Sequence, residues 1–354
     1  MSYAIAHLSR SALLHNFQRV KASTSAKVVA VIKANAYGHG VLEAAEVLQE
    51  AEVFAVARLQ EAIELRAQWP DKPILLLEGV SDIEAWQCCG EHHFDAVVHC
   101  QDQILQLAQA VMVAPIAVWL KVDTGMHRLG FPLGQTEHAI EQLSSLPCIK
   151  SVKLMTHFCC ADDVASPMTG QQLLVFNGIP FEGECSMANS AAILSRPDAS
   201  KQWVRPGIML YGSSPFTGKS GPDDDLQAVM TLHTKLISIQ SLAKGDAVGY
   251  SGTYVCPEDM KIGVAAVGYA DGYPRHAPSG TPVMVDGNLA ALVGRVSMDM
   301  ITIDLRQVPN AVVGSVVELW GSNLSADLVA DAAGTIAYDL FCGVTPRVPK
   351  IWGD

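Results

Sequence analysis

Short apolar runs alternate with amphipathic stretches over the first two hundred or so residues of the chain. Between the apolar runs, apolar side chains recur at helical spacing, as at Leu42, Ala45 and Leu48. The runs predict eight strands, at residues 28–32, 53–56, 74–77, 96–99, 116–121, 152–157, 184–187 and 202–205. Strands that alternate with helices are typical of a parallel sheet, so this region is predicted to be α/β.

Eight such units match the size of a TIM-like (β/α)8 barrel, in which active sites lie at the carboxyl ends of the strands. A doubly wound open sheet is the alternative, and periodicity alone does not separate the two. Residues capable of chemistry recur at the predicted strand ends, namely Lys33, His157, Asn189, Ser190 and Arg205. A barrel would bring all of them to one site.

A second domain is predicted to follow the barrel. Residues 213–225 are rich in Gly, Pro, Ser and Asp, which indicates a linker. Beyond it the pattern predicts strands at 230–239, 262–267, 282–285, 290–296 and 300–305, and a helix at 325–333. We therefore expect a barrel domain over residues 1–226 and a mostly β domain over 227–354. Residues 1–8 are a candidate segment to pair with the second domain.

Composition and charge narrow the class of partner. The 354 residues carry a formal net charge of -12, and the sequence pI is near 5.3. This balance argues against nonspecific binding to nucleic acid or to an anionic membrane. The longest apolar stretch, residues 110–120, contains Pro115 and is shorter than the roughly 20 residues that a bilayer requires. Because the first residues also lack a basic leader, we expect a cytoplasmic protein with a small-molecule partner.

The nine cysteines indicate neither a disulfide framework nor a zinc site. Their number is odd, two pairs are direct neighbours, and no Cys-x-x-Cys spacing occurs. We expect most of them to be reduced and buried, and we expect no metal.

The first segment with chemistry is residues 28–40, which read VVAVIKANAYGHG. Lys33 ends a buried strand, and burial lowers the pKa of a lysine, which is the condition for an amine that forms a Schiff base with a carbonyl. A strand-end lysine that reaches solvent along its aliphatic stem is the alternative. The following turn offers two glycines, an asparagine and the hydroxyl of Tyr37.

The second segment, residues 204–212, reads VRPGIMLYG and joins Arg205 to a Pro-Gly turn at the eighth strand. Barrels often bind phosphate at this point. Gly207 allows close approach of a ligand to the backbone, whose amides can hold an anion. A structural turn beside a surface arginine is the alternative.

These segments resemble the alanine racemase family of pyridoxal 5'-phosphate enzymes. Four further runs carry the resemblance, namely KVDTGMHRLG at 121–130, GYSGTY at 249–254, GRVSMD at 294–299 and GTIAYD at 334–339. The resemblance implies a bacterial enzyme of the short proteobacterial or catabolic type. Such an enzyme interconverts L- and D-alanine, for peptidoglycan synthesis or for alanine catabolism.

Racemisation requires one proton-transferring group on each face of the substrate α-carbon. By resemblance, Lys33 holds the cofactor and serves the D-alanine face, and Tyr254 serves the L-alanine face. Arg205 then faces the pyridine nitrogen of the cofactor, and because an arginine cannot accept a proton it disfavours protonation of that nitrogen. His157, linked to this arginine, assists the tyrosine.

Substrate recognition is assigned to the run at 121–130. Arg128 offers the fork geometry that suits a carboxylate. The resemblance allows carbamylation of Lys121, which would orient Arg128, whereas a simple ion pair between Asp123 and Arg128 is the alternative. His127 stands where the family often has asparagine or glycine.

Further roles come only from the resemblance. The cofactor contacts besides Lys33 and Arg205 are expected to be Tyr37, Ser190, Gly207, Ile208 and Tyr338. Met298 is expected to contact the substrate, and the entrance is expected to include Tyr269, Asp162, Arg275 and Arg295. The family also implies a homodimer, in which the tyrosine of one subunit enters the barrel of the other. Alternatives are a racemase of broader specificity acting on serine or lysine, a related barrel decarboxylase, and a non-catalytic protein that binds the cofactor.

Overall fold

The computed structural model describes residues 3–354, which form a barrel and a β-rich domain. The chain starts with a strand and a helix that the apolar pattern did not predict, β1 (Ile5–Ser9) and α1 (Arg10–Ser23). The Ser9 side chain caps α1 by accepting a hydrogen bond from the Ala12 amide. β1 lies in the sheet of the second domain, so residues 5–8 of the segment 1–8 pair there, while residues 1 and 2 lie outside the described part.

Eight parallel strands close into a barrel in chain order. They are β2 (Lys27–Val31), β3 (Val53–Val56), β4 (Ile74–Leu76), β5 (Phe94–Val98), β6 (Ile116–Lys121), β7 (Ile149–Met155), β8 (Cys185–Ser186) and β9 (Trp203–Val204). Because β9 pairs with β2, the sheet is closed and the open doubly wound alternative is wrong. All residues of β3, β4 and β6 are buried, as expected for strands covered on both faces.

Helices and helical turns connect the barrel strands. They are α2 (Lys33–Tyr37), α3 (Val41–Val47), α4 (Leu59–Gln68), α5 (Ile83–His92), α6 (Gln101–Gln109), α7 (Leu133–Ser145), α8 (Met168–Asn177) and α9 (Ser190–Ser195). Each connection returns the chain to the start of the next parallel strand. The carboxyl ends of all eight strands therefore face the same side of the barrel.

The second domain is built on an eight-stranded, largely antiparallel sheet. Its strands after β1 are β10 (Met230–Leu242), β13 (Met260–Ala265), β14 (Pro282–Val285), β15 (Asn288–Leu292), β16 (Ile301–Asp304), β17 (Val316–Trp320) and β18 (Lys350–Gly353), while β11 (Ala247–Val248) and β12 (Tyr254–Val255) form a separate pair. Two helices, α10 (Ala326–Ala333) and α11 (Ala337–Gly343), follow β17. The five strands and the helix predicted for this region are confirmed, whereas β11, β12, β17, β18 and α11 were missed. The exact division at residue 226 stays a prediction.

The expectation that most cysteines are buried is wrong. All nine are free thiols, but only Cys89 and Cys256 are buried, and Cys342 is exposed. The other six are partly buried, and all but Cys88 lie in loops or at the ends of strands and helices, where a small side chain packs only partly against the core. None of the helices formed by residues 3–354 has the length and hydropathy needed to cross a membrane.

Candidate active site

A cavity of about 940 Å³ opens at the carboxyl ends of the barrel strands. Segment 213–219 and the helices α10 and α11 also line it. It brings together twelve of the residues singled out in the sequence, namely Lys33, Tyr37, Lys121, Arg128, His157, Asp162, Asn189, Ser190, Arg205, Gly207, Ile208 and Tyr338. A barrel places side chains from distant parts of the chain in one site because all strand ends meet there.

The turn after Lys33 is left-handed. Ala34, Asn35, Ala36 and Tyr37 have φ angles of 52°, 55°, 52° and 51°. Such a conformation costs about 1–2 kcal/mol for each residue that has a Cβ, so it persists only where the surroundings enforce it. Two backbone hydrogen bonds close the turn, from Ala36 N to Ile32 O and from Gly38 N to Ala34 O, both at 2.9 Å.

The ring of Tyr37 lies between two other tyrosines. It stacks on Tyr211 at 4.7 Å between ring centroids and lies 5.8 Å from Tyr338. The Tyr211 hydroxyl donates to Val31 O at 3.0 Å, which anchors the stack to β2. Burial raises the pKa of Tyr338 to about 12 and that of Tyr37 further, so both hydroxyls remain protonated donors at neutral pH.

Ser190 and Gly207 form a small polar cradle beside these rings. The Ser190 hydroxyl oxygen accepts hydrogen bonds from Gly207 N at 2.9 Å and from Met209 N at 3.4 Å. Its own proton is therefore free to donate into the cavity. A Cβ on Gly207 would lie 2.6 Å from the Tyr37 hydroxyl oxygen, so only glycine lets that hydroxyl approach the backbone here.

Arg205 is buried, with 4% of its surface exposed, and its guanidinium is fixed by four neighbours. Nη1 donates to Ser186 Oγ at 2.5 Å, and Nη2 donates to Thr156 O at 2.6 Å and to Met187 O at 3.3 Å. Nη2 also lies 3.5 Å from Nδ1 of His157. Burial lowers the pKa of Arg205 to about 10, which leaves the guanidinium charged at neutral pH.

Four cations face the cavity at close range. Lys121 is 7% exposed, and its pKa is lowered to about 8 by burial and then by the charges of Arg205, Arg128 and Lys33. Among residues 3–354, no carboxylate lies within 4.0 Å of the side-chain nitrogens of Lys33, Lys121, Arg128 or Arg205. This part of the cavity is therefore suited to bind anionic groups.

The ion pair between Asp123 and Arg128, left open by the sequence, is not formed. Asp123 Oδ1 instead accepts from the amides of Gly125, Met126 and His127 at 3.0–3.1 Å, and Oδ2 lies 2.9 Å from His127 Nδ1. His127 has a φ of 55°, a left-handed conformation that asparagine and glycine adopt more easily. The carboxylate therefore shapes the loop and leaves Arg128 available.

Five residues that the sequence placed at the site do not line this cavity, namely Tyr254, Met298, Tyr269, Arg275 and Arg295. Tyr254 lies on β12, where its hydroxyl is 3.7 Å from Met260 Sδ. Met298 is 52% exposed and Tyr269 is 39% exposed. Within one chain, no tyrosine of the second domain other than Tyr338 lines the cavity of Lys33.

Three residues that hold the site together were not predicted from the sequence. The Ser186 hydroxyl and the Thr156 backbone carbonyl accept hydrogen bonds from Arg205, and the Asp327 side chain of α10 binds the linker. Asp327 accepts hydrogen bonds from the Ser213 hydroxyl and from the amides of Ser214 and Gly221. The sequence offered one signal for Ser186, a small polar residue at the end of a predicted barrel strand. It offered no such signal for Asp327.

Comparison with known proteins agrees with this geometry. The model of the alanine racemase N-terminal domain matches residues 8–215, and that of the C-terminal domain matches residues 229–352. An alanine racemase of Nitrosococcus oceani is 50% identical over 353 residues, which cover 99% of each chain. The biosynthetic alanine racemase from Pseudomonas aeruginosa superposes with a TM-score of 0.97 at 43% identity, with 100% of both chains covered.

A second solved structure bears on the cofactor. The alanine racemase from Bartonella henselae, described with covalently bound pyridoxal phosphate, superposes with a TM-score of 0.89 at 25% identity over 100% of both chains. Both domain models and full-length relatives thus match this chain. The chain belongs to the alanine racemase family.

Proposed function

We propose that this protein interconverts L- and D-alanine, with pyridoxal 5'-phosphate held covalently by Lys33. The observation that carries the proposal is the single cavity in which Lys33, Arg128, Arg205 and the Ser190–Gly207 cradle face one another. When bound, pyridoxal phosphate withdraws electrons from the substrate α-carbon and so makes its proton acidic. The residues of the chain bind, orient and exchange protons around it.

The donor set of the cavity fits this cofactor. The proton of the Ser190 hydroxyl, the protonated hydroxyls of Tyr37 and Tyr338, and the backbone at Ile208 suit a phosphate, while Gly207, whose amide donates to Ser190, allows close approach to the backbone. Gly207 has no Cβ, which lets the Tyr37 hydroxyl lie close to this backbone. Lys33 then supplies the amine for the aldehyde carbon.

Arg205 is assigned to the pyridine nitrogen. Its guanidinium has no proton-accepting atom and stays charged, so it does not share or accept a proton from that nitrogen. The hydrogen bonds to Ser186 and Thr156 prevent it from turning away. We expect this arrangement to limit electron withdrawal by the ring and to suppress transamination.

We assign Arg128 to binding of the substrate carboxylate and Lys121 to the orientation of Arg128. With a pKa near 8, Lys121 is partly neutral at physiological pH, and a neutral amine adds to the carbon of CO2 with release of one proton. The product is a carbamate, an anion among Arg128, Arg205 and Lys33. It would supply the charge balance that no carboxylate of residues 3–354 provides within 4.0 Å of these cations.

Tyr254 is assigned as the second base, supplied by another copy of the chain. It lies outside the cavity of its own chain, and so do Met298, Tyr269, Arg275 and Arg295. A homodimer in which the second domain of one subunit covers the barrel of the other would place them all at one entrance. Met298 would then contact the substrate, and Asp162, which lines the cavity, would face the entrance from the barrel side.

The test is an assay of D-alanine formation from L-alanine by chiral chromatography, with serine and lysine as parallel substrates. We expect racemisation of alanine in both directions, and Lys33→Ala is expected to lose the visible absorbance of the bound cofactor and all activity. Equal rates with serine or lysine would favour the broader racemase. Cofactor binding without any racemisation would favour a binding protein, and full activity of Lys33→Ala would contradict the assignment.

A further inference from the structure

Glu61, on the first turn of α4, contacts the backbone directly after the cofactor lysine. Its Oε1 accepts a hydrogen bond from Ala34 N at 2.6 Å. Its Oε2 accepts from Ala57 N and from Arg58 N, both at 2.9 Å. One carboxylate therefore joins the end of β3 and the start of α4 to the peptide group that links Lys33 to Ala34.

Among the described residues, the Ala34 amide has no hydrogen-bond partner within the left-handed turn itself. It is the first amide of the left-handed turn, ahead of the Ala36 amide that makes the first bond within the turn. A strained turn persists only where contacts with residues outside the turn hold it in place. Asn35 provides one further contact, since its Oδ1 accepts from Val41 N at 2.8 Å.

We propose that Glu61 is a positioning residue for Lys33, which fixes the direction in which the lysine leaves its strand. The inference rests on the proposed role of Lys33 as the cofactor lysine. A capping function for α4 alone would require only the oxygen that faces Ala57 and Arg58. The second oxygen, on the Ala34 amide, is what ties the helix to the turn.

Glu61→Gln separates these two roles. The amide group has one oxygen, and directing it to Ala57 and Arg58 keeps two of the three hydrogen bonds. The NH2 group then faces the Ala34 N–H, donor against donor, so the contact with the turn is lost. Glu64→Gln on the same helix is the matched control, because the Glu64 side chain is exposed and forms no hydrogen bond or ion pair with residues 3–354.

The experiment uses the purified holoenzyme of the wild type and both variants. Hydrogen–deuterium exchange is measured at residues 33–38, together with the dissociation rate of pyridoxal phosphate, kcat, the KM for alanine, and thermal unfolding. For Glu61→Gln we expect faster exchange at 33–38 and cofactor loss accelerated about tenfold or more, the effect of one charge-assisted hydrogen bond. We expect a lower kcat with a nearly unchanged KM, because Arg128 binds the carboxylate elsewhere, and Glu64→Gln should match the wild type.

Wild-type exchange at 33–38 and a wild-type rate of cofactor loss in Glu61→Gln would overturn the proposal. A lower unfolding temperature with these two quantities unchanged would overturn it too, since it would show capping alone. Failure of the proposed function would give a different result from failure of this proposal. In that case Lys33→Ala would match the wild type in pyridoxal phosphate binding and in alanine racemisation.

Discussion

Nη2 of Arg205 lies 3.5 Å from Nδ1 of His157, and this contact fixes the protonation of the histidine. Arginine only donates hydrogen bonds, so Nδ1 of His157 must accept and the ring proton must sit on Nε2. Burial and then the charge of Arg205 lower the pKa of His157 well below its ordinary value. The imidazole is thus a neutral group that presents an N–H away from the arginine.

We therefore expect His157 to remain neutral over the range in which free histidine titrates, around pH 6.5. Nitrogen-15 NMR of histidine-labelled holoenzyme should show the Nε2-protonated form of His157 from pH 8 to pH 6, with His157→Gln identifying the signal. The contrary result is a shift of that signal with a midpoint near 6.5, which would show that Arg205 does not control its charge.

Lys121 should carry a carbamate. In protein equilibrated with carbon-13 bicarbonate, NMR should show a carbamate resonance that is absent from Lys121→Gln. The same variant should raise the KM for alanine about tenfold, because Arg128 loses the anion that orients it.

Lys153 is the matched lysine for this experiment. It lies on the neighbouring strand β7, but its Nζ pairs with two carboxylates, 3.5 Å from Glu184 and 4.0 Å from Asp95. Lys153→Gln should leave the carbamate signal intact. Loss of the signal in Lys153→Gln but not in Lys121→Gln would reverse the assignment.

Gly207→Ala should weaken cofactor binding. The added Cβ would lie 2.6 Å from the Tyr37 hydroxyl oxygen, so the tyrosine must move away from the cradle formed by Ser190 and Gly207. We expect the Kd for pyridoxal phosphate to rise about tenfold or more, the effect of losing one hydrogen bond to a charged group. Equilibrium dialysis measures it, and Gly134→Ala on α7, where a Cβ would meet nothing within 4 Å, should leave the Kd unchanged.

Acid should destabilise the protein through His39. This histidine is fully buried, and burial lowers its pKa to about 4, while Nδ1 lies 3.0 Å from Ala36 O and 2.9 Å from Tyr37 O. Because the folded pKa lies below the unfolded value near 6.5, the unfolded state binds the proton more readily as the pH falls. The contribution of His39 to the free energy of unfolding is therefore fully present above pH 6.5 and is lost progressively toward pH 4.

Between pH 7 and pH 5 this effect should lower the free energy of unfolding by about 2 kcal/mol. Urea unfolding at one protein concentration measures it. His39→Asn keeps a donor near the two carbonyl oxygens but does not titrate, so its stability should depend less on pH by about that amount. An identical pH dependence in the variant and the wild type would show that His39 is not the acid-sensitive group.

The barrel could be predicted from the sequence because most residues of its strands are buried and read as short apolar runs. Within the β-rich domain, β11, β12, β17, β18 and α11 were missed. The helix α11 is only seven residues long, too short for apolar spacing to stand out. Residues 1–8 were expected to pair with this domain, but their parallel partner β18 was not predicted, because pairing between distant strands depends on tertiary structure.

The site shows a similar division. Lys33 and Arg205 could be selected because a charge at the end of a buried strand is unusual. The left-handed turn was not predictable, because Ala34 and Ala36 are residue types that rarely adopt positive φ. That Tyr254 serves the cavity of another subunit was expected from the resemblance alone, since spacing along the chain does not show which subunit a residue serves.

In the proposed homodimer, Lys33 from one copy of the chain and Tyr254 from the other form one shared site. Mixing Lys33→Ala with Tyr254→Phe under conditions of subunit exchange tests this arrangement. Random exchange makes about half of the dimers hybrids with one intact site each, so we expect about a quarter of wild-type activity from two variants that are each inactive alone. Subunit exchange without recovery of activity would contradict the shared site, because each cavity would then contain its own chain's tyrosine.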